Sequence, residues 1–189
     1  FLYCGSSPGS HPDFLLSARN LGSQIAGSGH NLVYGGGNVG LMGAVADTVL
    51  EGGGKVIGVI PRHLADKEIA HPGLSGLHIV DSMHARKERM TDLADAFVAL
   101  PGGTGTLEEI IEVFVWLQLG LYQKPCALLK VNHYYDSLAV FLDQMTQSRF
   151  LKSKHRDQLL CLNKVEGCLK TLLAHQPVFL DKWLDKNEP

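Results

Sequence analysis

A chain of 189 residues, 45% apolar and 19% charged, has room for one compact domain with a real core over 1–189 and too little for two. Its formal net charge of −2 gives no basic field for tracking a nucleic-acid backbone, so no nucleic-acid partner is expected and an anion must be held locally. Four cysteines without a CxxC pair argue against a disulfide framework and for a reducing, cytoplasmic setting, and no apolar run approaches the ~20 residues of a membrane helix.

The first residue is Phe rather than Met and already reads as strand, so the natural chain is expected to begin earlier. Phe1 to Cys4 is predicted as a strand, followed by the turn-rich Gly5 to Ser10. A helix fits Pro12 to about Ala26, ended by Gly27 and Gly29. Asn31 to Tyr34 is a short strand running into Gly35, Gly36 and Gly37. Leu41 to Leu50 reads as a helix closed by Gly52 to Gly54, and Lys55 to Ile60 as a buried strand stopped by Pro61. The longest irregular piece, Arg62 to Gly76, is polar enough to fold over a site. Strand Leu77 to Asp81, helix Met83 to Leu93, strand Ala96 to Leu100, helix Thr106 to Leu119 and strand Cys126 to Lys130 follow. Two helices and a short strand near Leu159 to Leu162 finish the chain.

Strands alternating with helices predict an α/β fold of three layers, α/β/α, around a mainly parallel sheet covered on both faces. Ligands in such sheets collect beyond the carboxyl ends of the strands. Three glycine-dense segments sit there: Gly5 to Gly9, Gly35 to Gly40, and Gly102 to Gly105.

Pro101-Gly102-Gly103-Thr104-Gly105-Thr106 joins a buried strand to a helix. Its glycines allow close backbone approach, and free amides at a helix start suit a phosphate. The bland alternative is a tight turn without a ligand; the two threonines and the acids that follow favour a site. Gly35 to Gly40 formally contains GxGxxG. A nicotinamide site would want an acid at the end of the next strand, but that strand ends Val59-Ile60-Pro61-Arg62. No GKS or GKT follows either, which leaves a monophosphate or a ribose edge for this loop, with Gly36, Gly37 and Ser6 as further nucleotide contacts.

Glu108, Glu109 and Glu112 share one arc of an otherwise apolar helix, beside the glycine loop. A helix so apolar is buried on most sides, often against a second subunit. Thr106-Leu107-Glu108-Glu109 also matches a capping box, with Glu109 reaching back to the Thr106 amide, and both roles for Glu109 stay open. Arg86 and Lys87 fall between Met83 and Met90 at helical spacing. A guanidinium on that flank either snorkels past the core edge or takes carboxylate or phosphate partners. The histidines show no metal spacing, and Ser6 and Ser7 lack a GxSxG elbow, so neither a metal site nor a serine hydrolase is expected.

The chain resembles the LOG ("Lonely Guy") family of cytokinin riboside 5′-monophosphate phosphoribohydrolases. The residues that carry the likeness are PGGxGTxxE, here Pro101 to Glu109, and MHxRK, here Met83 to Lys87. The glycine element Tyr34 to Gly43 and the opening Cys4-Gly5-Ser6 also match. The resemblance implies a Rossmann-like sheet, a homodimer, and hydrolysis of a nucleoside 5′-monophosphate to free base and ribose 5-phosphate without metal or cofactor. It implies Arg86 and Glu109 as the catalytic pair. Substrate contacts would be Glu68, Arg86, Lys87, Gly102, Gly103, Thr104, Gly105, Thr106, Leu107 and Glu108. Two departures bear on the preferred base: a loop position often aromatic in plant members is Thr104, and a helix position often threonine is Val115. The alternatives are a general AMP nucleosidase and a non-catalytic nucleotide-binding carrier of the same fold. Relatives labelled lysine decarboxylases would demand a Schiff-base lysine, with Lys87 and Lys124 the candidates by default.

Overall fold

The structure, a computed structural model, describes residues 1–65 and 70–178. Its elements run β1 (Leu2–Tyr3), α1 (Pro12–Gly27), β2 (Leu32–Tyr34), α2 (Gly40–Glu51), β3 (Val56–Pro61), α3 (Arg62–Ala65), β4 (Gly76–Val80), α4 (Met83–Leu93) and β5 (Phe97–Ala99). They continue with α5 (Thr104–Gln118), β6 (Cys126–Leu129), a 3₁₀ turn at Val131–His133, α6 (Asp136–Gln147), α7 (Ser153–Arg156), β7 (Leu159–Leu162) and α8 (Cys168–Ala174).

All the paired strands are parallel. Their ladders form a four-stranded sheet, β1-β5-β6-β7, and a three-stranded sheet, β2-β3-β4, which meet where β1 lies against β2. Side chains alternate along each strand, as the period of two requires. Leu2 and Cys4, Leu32 and Tyr34, Val98 and Leu100, and Ala127 and Leu129 enter one core, shared with α1, α2 and α8. Tyr3, Val33, Phe97, Ala99, Cys126 and Leu128 enter the other, shared with α4, α5 and α6. The three-layer expectation therefore holds. Pro61 ends β3 from within rather than just beyond it, where β2 has already stopped pairing at Gly58 and β3 has a strand neighbour on one side only.

Local chemistry sets the helix that carries Arg86. Ser82 caps α4, its Oγ accepting from the Ala85 amide at 3.0 Å. From that start, Arg86 and Met90 fall one turn apart on the buried face. Ser82 follows β4, and among the described residues β4 pairs only with β3, so the chain through α4 crosses back to β5 on the far side of β1. The direction of winding reverses between β1 and β5. There the Gly5 amide donates to the Pro101 carbonyl at 3.0 Å, drawing two glycine loops together at the place where an open α/β sheet presents a crevice.

Candidate active site

Two loops and two helix ends build the site. Helix α5 starts at Thr104 with Gly103 as its cap, two residues earlier than the sequence pattern suggested. The capping-box reading of Thr106 to Glu109 is thereby corrected. Gly103 is extended and has no side chain with which to cap, Thr106 is the buried third residue of the helix, and Glu109 lies in its second turn. No side chain caps this helix. Among the described residues, the amides of Gly103, Thr104, Gly105 and Thr106 have no protein acceptor. Four orphan donors with a helix dipole behind them make a seat for an anion.

The loop before this seat is rigid. A methyl on Gly102 would lie 2.2 Å from Thr106 Oγ1 and 2.9 Å from the Gly5 amide nitrogen, so only glycine fits between the two loops. Beside it a cavity of about 310 Å³ is lined by Ser6, Ser7, Phe14, Leu41, Gly102 and Tyr134 among others.

Arg86 is 9% exposed. Its Nη2 reaches the Gly35 carbonyl at 3.4 Å, its Nη1 lies 3.9 Å from the Met83 sulfur, and its Nε has no partner among the described residues. A guanidinium has five donors; two long contacts leave it under-satisfied in a position where desolvation is costly. The alanine-sized methyl absent at Gly35 would sit 2.3 Å from Nη2, so the end of β2 is shaped around this cation.

Glu109 complements it. Burial raises its carboxyl from the ordinary 4.5 to about 7; Arg86 and Lys87 hold the rise back, while Glu108 and Glu112 add to it. A buried, raised carboxyl close enough to a buried guanidinium to feel its charge makes the pair a candidate for the site. Lys87 is held by the acids of α5. Its ammonium pairs with Glu108 and, at 3.2 Å, with Glu112. Burial opposes its charge, but those two carboxylates more than compensate and its pKa rises.

The structure thus brings Arg86, Glu109 and the Gly102–Thr106 loop together, with Lys87, Glu108 and Glu112 as an ion-pair cluster alongside. Leu107 and Thr104 are exposed and line a groove between α5 and α6. Ser6 is exposed at the neighbouring cavity. Gly36 and Gly37 are buried, their carbonyls accepting from the His71 amide and the Tyr34 hydroxyl. The same loop carries Gly35, whose carbonyl lies 3.4 Å from Arg86 Nη2. Glu68 lies outside the described residues.

Three residues near these loops make contacts that were not foreseen from the sequence. Tyr134 and Tyr135 bond the carbonyls of Gly102 and Leu100 at 2.6 and 2.7 Å. His71 Nδ1 accepts from the Gly73 amide at 3.1 Å, which leaves Nε2 to donate to Asp47 at 2.9 Å. The tyrosine bonds and the His71–Asp47 pair span 24 to 35 residues, so only the fold brings those groups together.

A family model described as "Possible lysine decarboxylase" matches residues 42–172. A probable cytokinin riboside 5′-monophosphate phosphoribohydrolase of Oryza sativa subsp. japonica is 44% identical over 177 residues, covering 94% of this chain and 78% of that protein. The cytokinin riboside 5′-monophosphate phosphoribohydrolase of Rhodococcoides fascians is 43% identical over 172 residues, covering 90% of this chain and 87% of that one. The chain belongs to the LOG family. A solved molybdenum cofactor binding protein from Rippkaea orientalis has the same fold, with TM-score 0.68 and 22% identity over 90% of this chain and 92% of its own.

The decarboxylase label of the family model finds no support in the lysines. A Schiff-base lysine needs a neutral amine at working pH. Lys87 is held as an ammonium by two carboxylates, and Lys124 Nζ donates to the Thr91 carbonyl at 2.7 Å.

Proposed function

We propose that this LOG protein hydrolyses the N-glycosidic bond of cytokinin-type purine riboside 5′-monophosphates, releasing the free base and ribose 5-phosphate. The observation that carries the reading is the under-satisfied Arg86 with the high-pKa Glu109, next to four amides without acceptors. The 5′-phosphate sits on the amides of Gly103 to Thr106, with the Thr104 and Thr106 hydroxyls as further donors. Anchoring the anion there orients a sugar whose reacting carbon is remote from the charge.

As the bond between C1′ and the base nitrogen breaks, its electron pair leaves with the base and the ribose gains oxocarbenium character. The ionised Glu109 stabilises that positive charge. Water adds its oxygen to C1′ and gives up a proton to Glu109, and the departing base takes a proton in turn. Arg86 binds the ribose or phosphate oxygens with the donors that the protein leaves unused and keeps Glu109 charged when substrate is bound. Glu109→Ala is expected to abolish turnover while nucleotide binding survives.

The proposal extends to a cytoplasmic homodimer of single-domain subunits. An apolar groove of about 720 Å³ runs along α5 and α6, where Val115 and Phe141 are exposed and Phe150 is 89% exposed. A surface of this kind favours burial against a second copy. Thr104 and Val115, the two positions that depart from the family pattern, both line this groove, beside Glu108 and Glu112. Choice between adenine and its N6-substituted forms is therefore expected to depend on it.

The test is release of ribose 5-phosphate from AMP and from its N6-isopentenyl derivative by the purified protein. A clear preference for the derivative supports the cytokinin reading, and equal rates support a general AMP nucleosidase. Tight binding without release of ribose 5-phosphate would overturn the enzymatic reading in favour of a carrier.

A further inference from the structure

Three successive carbonyls lead into the anion seat, and each is held by a different donor. The Tyr135 hydroxyl holds Leu100 at 2.7 Å, the Gly5 amide holds Pro101 at 3.0 Å, and the Tyr134 hydroxyl holds Gly102 at 2.6 Å. The amides that come next are the ones without acceptors. The loop is therefore fastened by its acceptors and leaves its donors open.

The last of these bonds bears most directly on the ligand. A trans peptide is planar, with its carbonyl and its N–H on opposite edges, and no peptide of the described chain is cis. Fixing the Gly102 carbonyl toward Tyr134 therefore turns the Gly103 N–H the other way, toward the open end of α5. Glycines on both sides of that peptide give it little resistance to rotation of its own. The Tyr134 ring is itself held, edge to face, by Phe14 at 5.7 Å and by Tyr135 at 5.0 Å. Its hydroxyl makes the Gly102 bond although the residue is 45% exposed, so packing does not require the oxygen. We infer that Tyr134 is a positioning residue for the substrate phosphate, orienting the Gly102–Gly103 peptide so that its amide meets the anion. The inference rests on the phosphate seat proposed above.

Tyr135 supplies the internal control. It holds Leu100, but the next residue, Pro101, has no N–H to aim. Its bond is structural, and the residue is buried.

The experiment compares the wild type, Tyr134→Phe and Tyr135→Phe, using inorganic phosphate as a competitive inhibitor and AMP as substrate. The phenylalanine in Tyr134→Phe keeps the ring contacts and removes one hydrogen bond. A hydrogen bond of ordinary net strength corresponds to a change of about fivefold. Tyr134→Phe is expected to weaken phosphate inhibition and raise KM for AMP by about that factor, with kcat within twofold and the melting temperature unchanged. Tyr135→Phe is expected to lower the melting temperature and leave phosphate inhibition within twofold. Equal phosphate inhibition in Tyr134→Phe and wild type overturns the role of Tyr134 and leaves the seat standing. Equal weakening in both variants overturns it as well, since the effect would then be one of loop stability. If phosphate does not compete with AMP in the wild type, the seat itself fails.

Discussion

Replacing Glu109 with Gln keeps the shape of the side chain and removes an ionisable group whose folded-state pKa is about 7 instead of 4.5. A raised carboxyl pKa means that the folded protein binds the proton more tightly than the unfolded chain does. The stability contributed by the neutral acid is complete below pH 4.5 and is lost as pH rises through about 7. At about 1.4 kcal/mol per tenfold change in proton affinity, the loss is about 3 kcal/mol across that window. Gln cannot ionise, so its contribution stays level. Urea unfolding of both proteins between about pH 5 and pH 8 should show the variant gaining on the wild type by up to about 3 kcal/mol, with most of the gain complete just above pH 7. On the proposed role of Glu109, turnover should fall by a factor of about 10² or more, because no carboxylate would then stabilise the developing cation. Parallel stability profiles for the two proteins would refute the claim that burial holds a costly charge at this position. Such a trade of stability for charge is what a catalytic carboxylate requires and a helix cap does not.

Other substitutions probe the surroundings of that pair. Lys87→Ala removes a cation that lowers the Glu109 pKa and frees Glu108 and Glu112, which raise it. The acid limb of kcat/KM should therefore move to higher pH, while stability changes by only about 1 kcal/mol; an unmoved limb would contradict the electrostatic reading. Gly35→Ala places a methyl 2.3 Å from Arg86 Nη2 and is expected to lower kcat/KM at least about tenfold through displacement of the guanidinium, with far-UV circular dichroism unchanged. His71→Ala removes the acceptor of the Gly73 amide and the donor to Asp47, both of which water can replace; a loss of about 1 kcal/mol in thermal unfolding is expected. Phe141→Glu puts a charge into the apolar groove; if the proposed dimer forms through that groove, light scattering should find the wild type dimeric and the variant monomeric, and equal masses for the two would contradict the proposal.

Much of the fold could be read directly from local pattern. Helix Met83–Leu93 has the bounds its sequence predicts, and β7 lies at Leu159–Leu162 as expected, because a serine cap and a short apolar run are local signals. Arg86 was placed on the flank of α4 by spacing alone, and burial there follows from Met90 one turn away. The start of α5 was misjudged for an instructive reason. The pattern from Thr106 to Glu109 has the letters of a capping box, whereas the actual cap is a glycine that offers no side chain. A helix whose cap is a glycine carries no side-chain capping signal, so the local rule misplaces its start. The carboxylate partners of Lys87 were not legible, because they lie 21 and 25 residues on, in α5, and only the fold brings them to it. Tyr134 was invisible for the same reason, being 32 residues from the carbonyl it holds.

A crystal of the Glu109→Gln protein soaked with AMP tests the central claim most directly. The account expects the phosphorus within hydrogen-bond reach of the Gly103 to Thr106 amides, with C1′ of the ribose facing the side chain at position 109 and Arg86 on the sugar or phosphate oxygens. A nucleotide whose phosphate lies away from the start of α5, or whose ribose turns its back on residue 109, would contradict it.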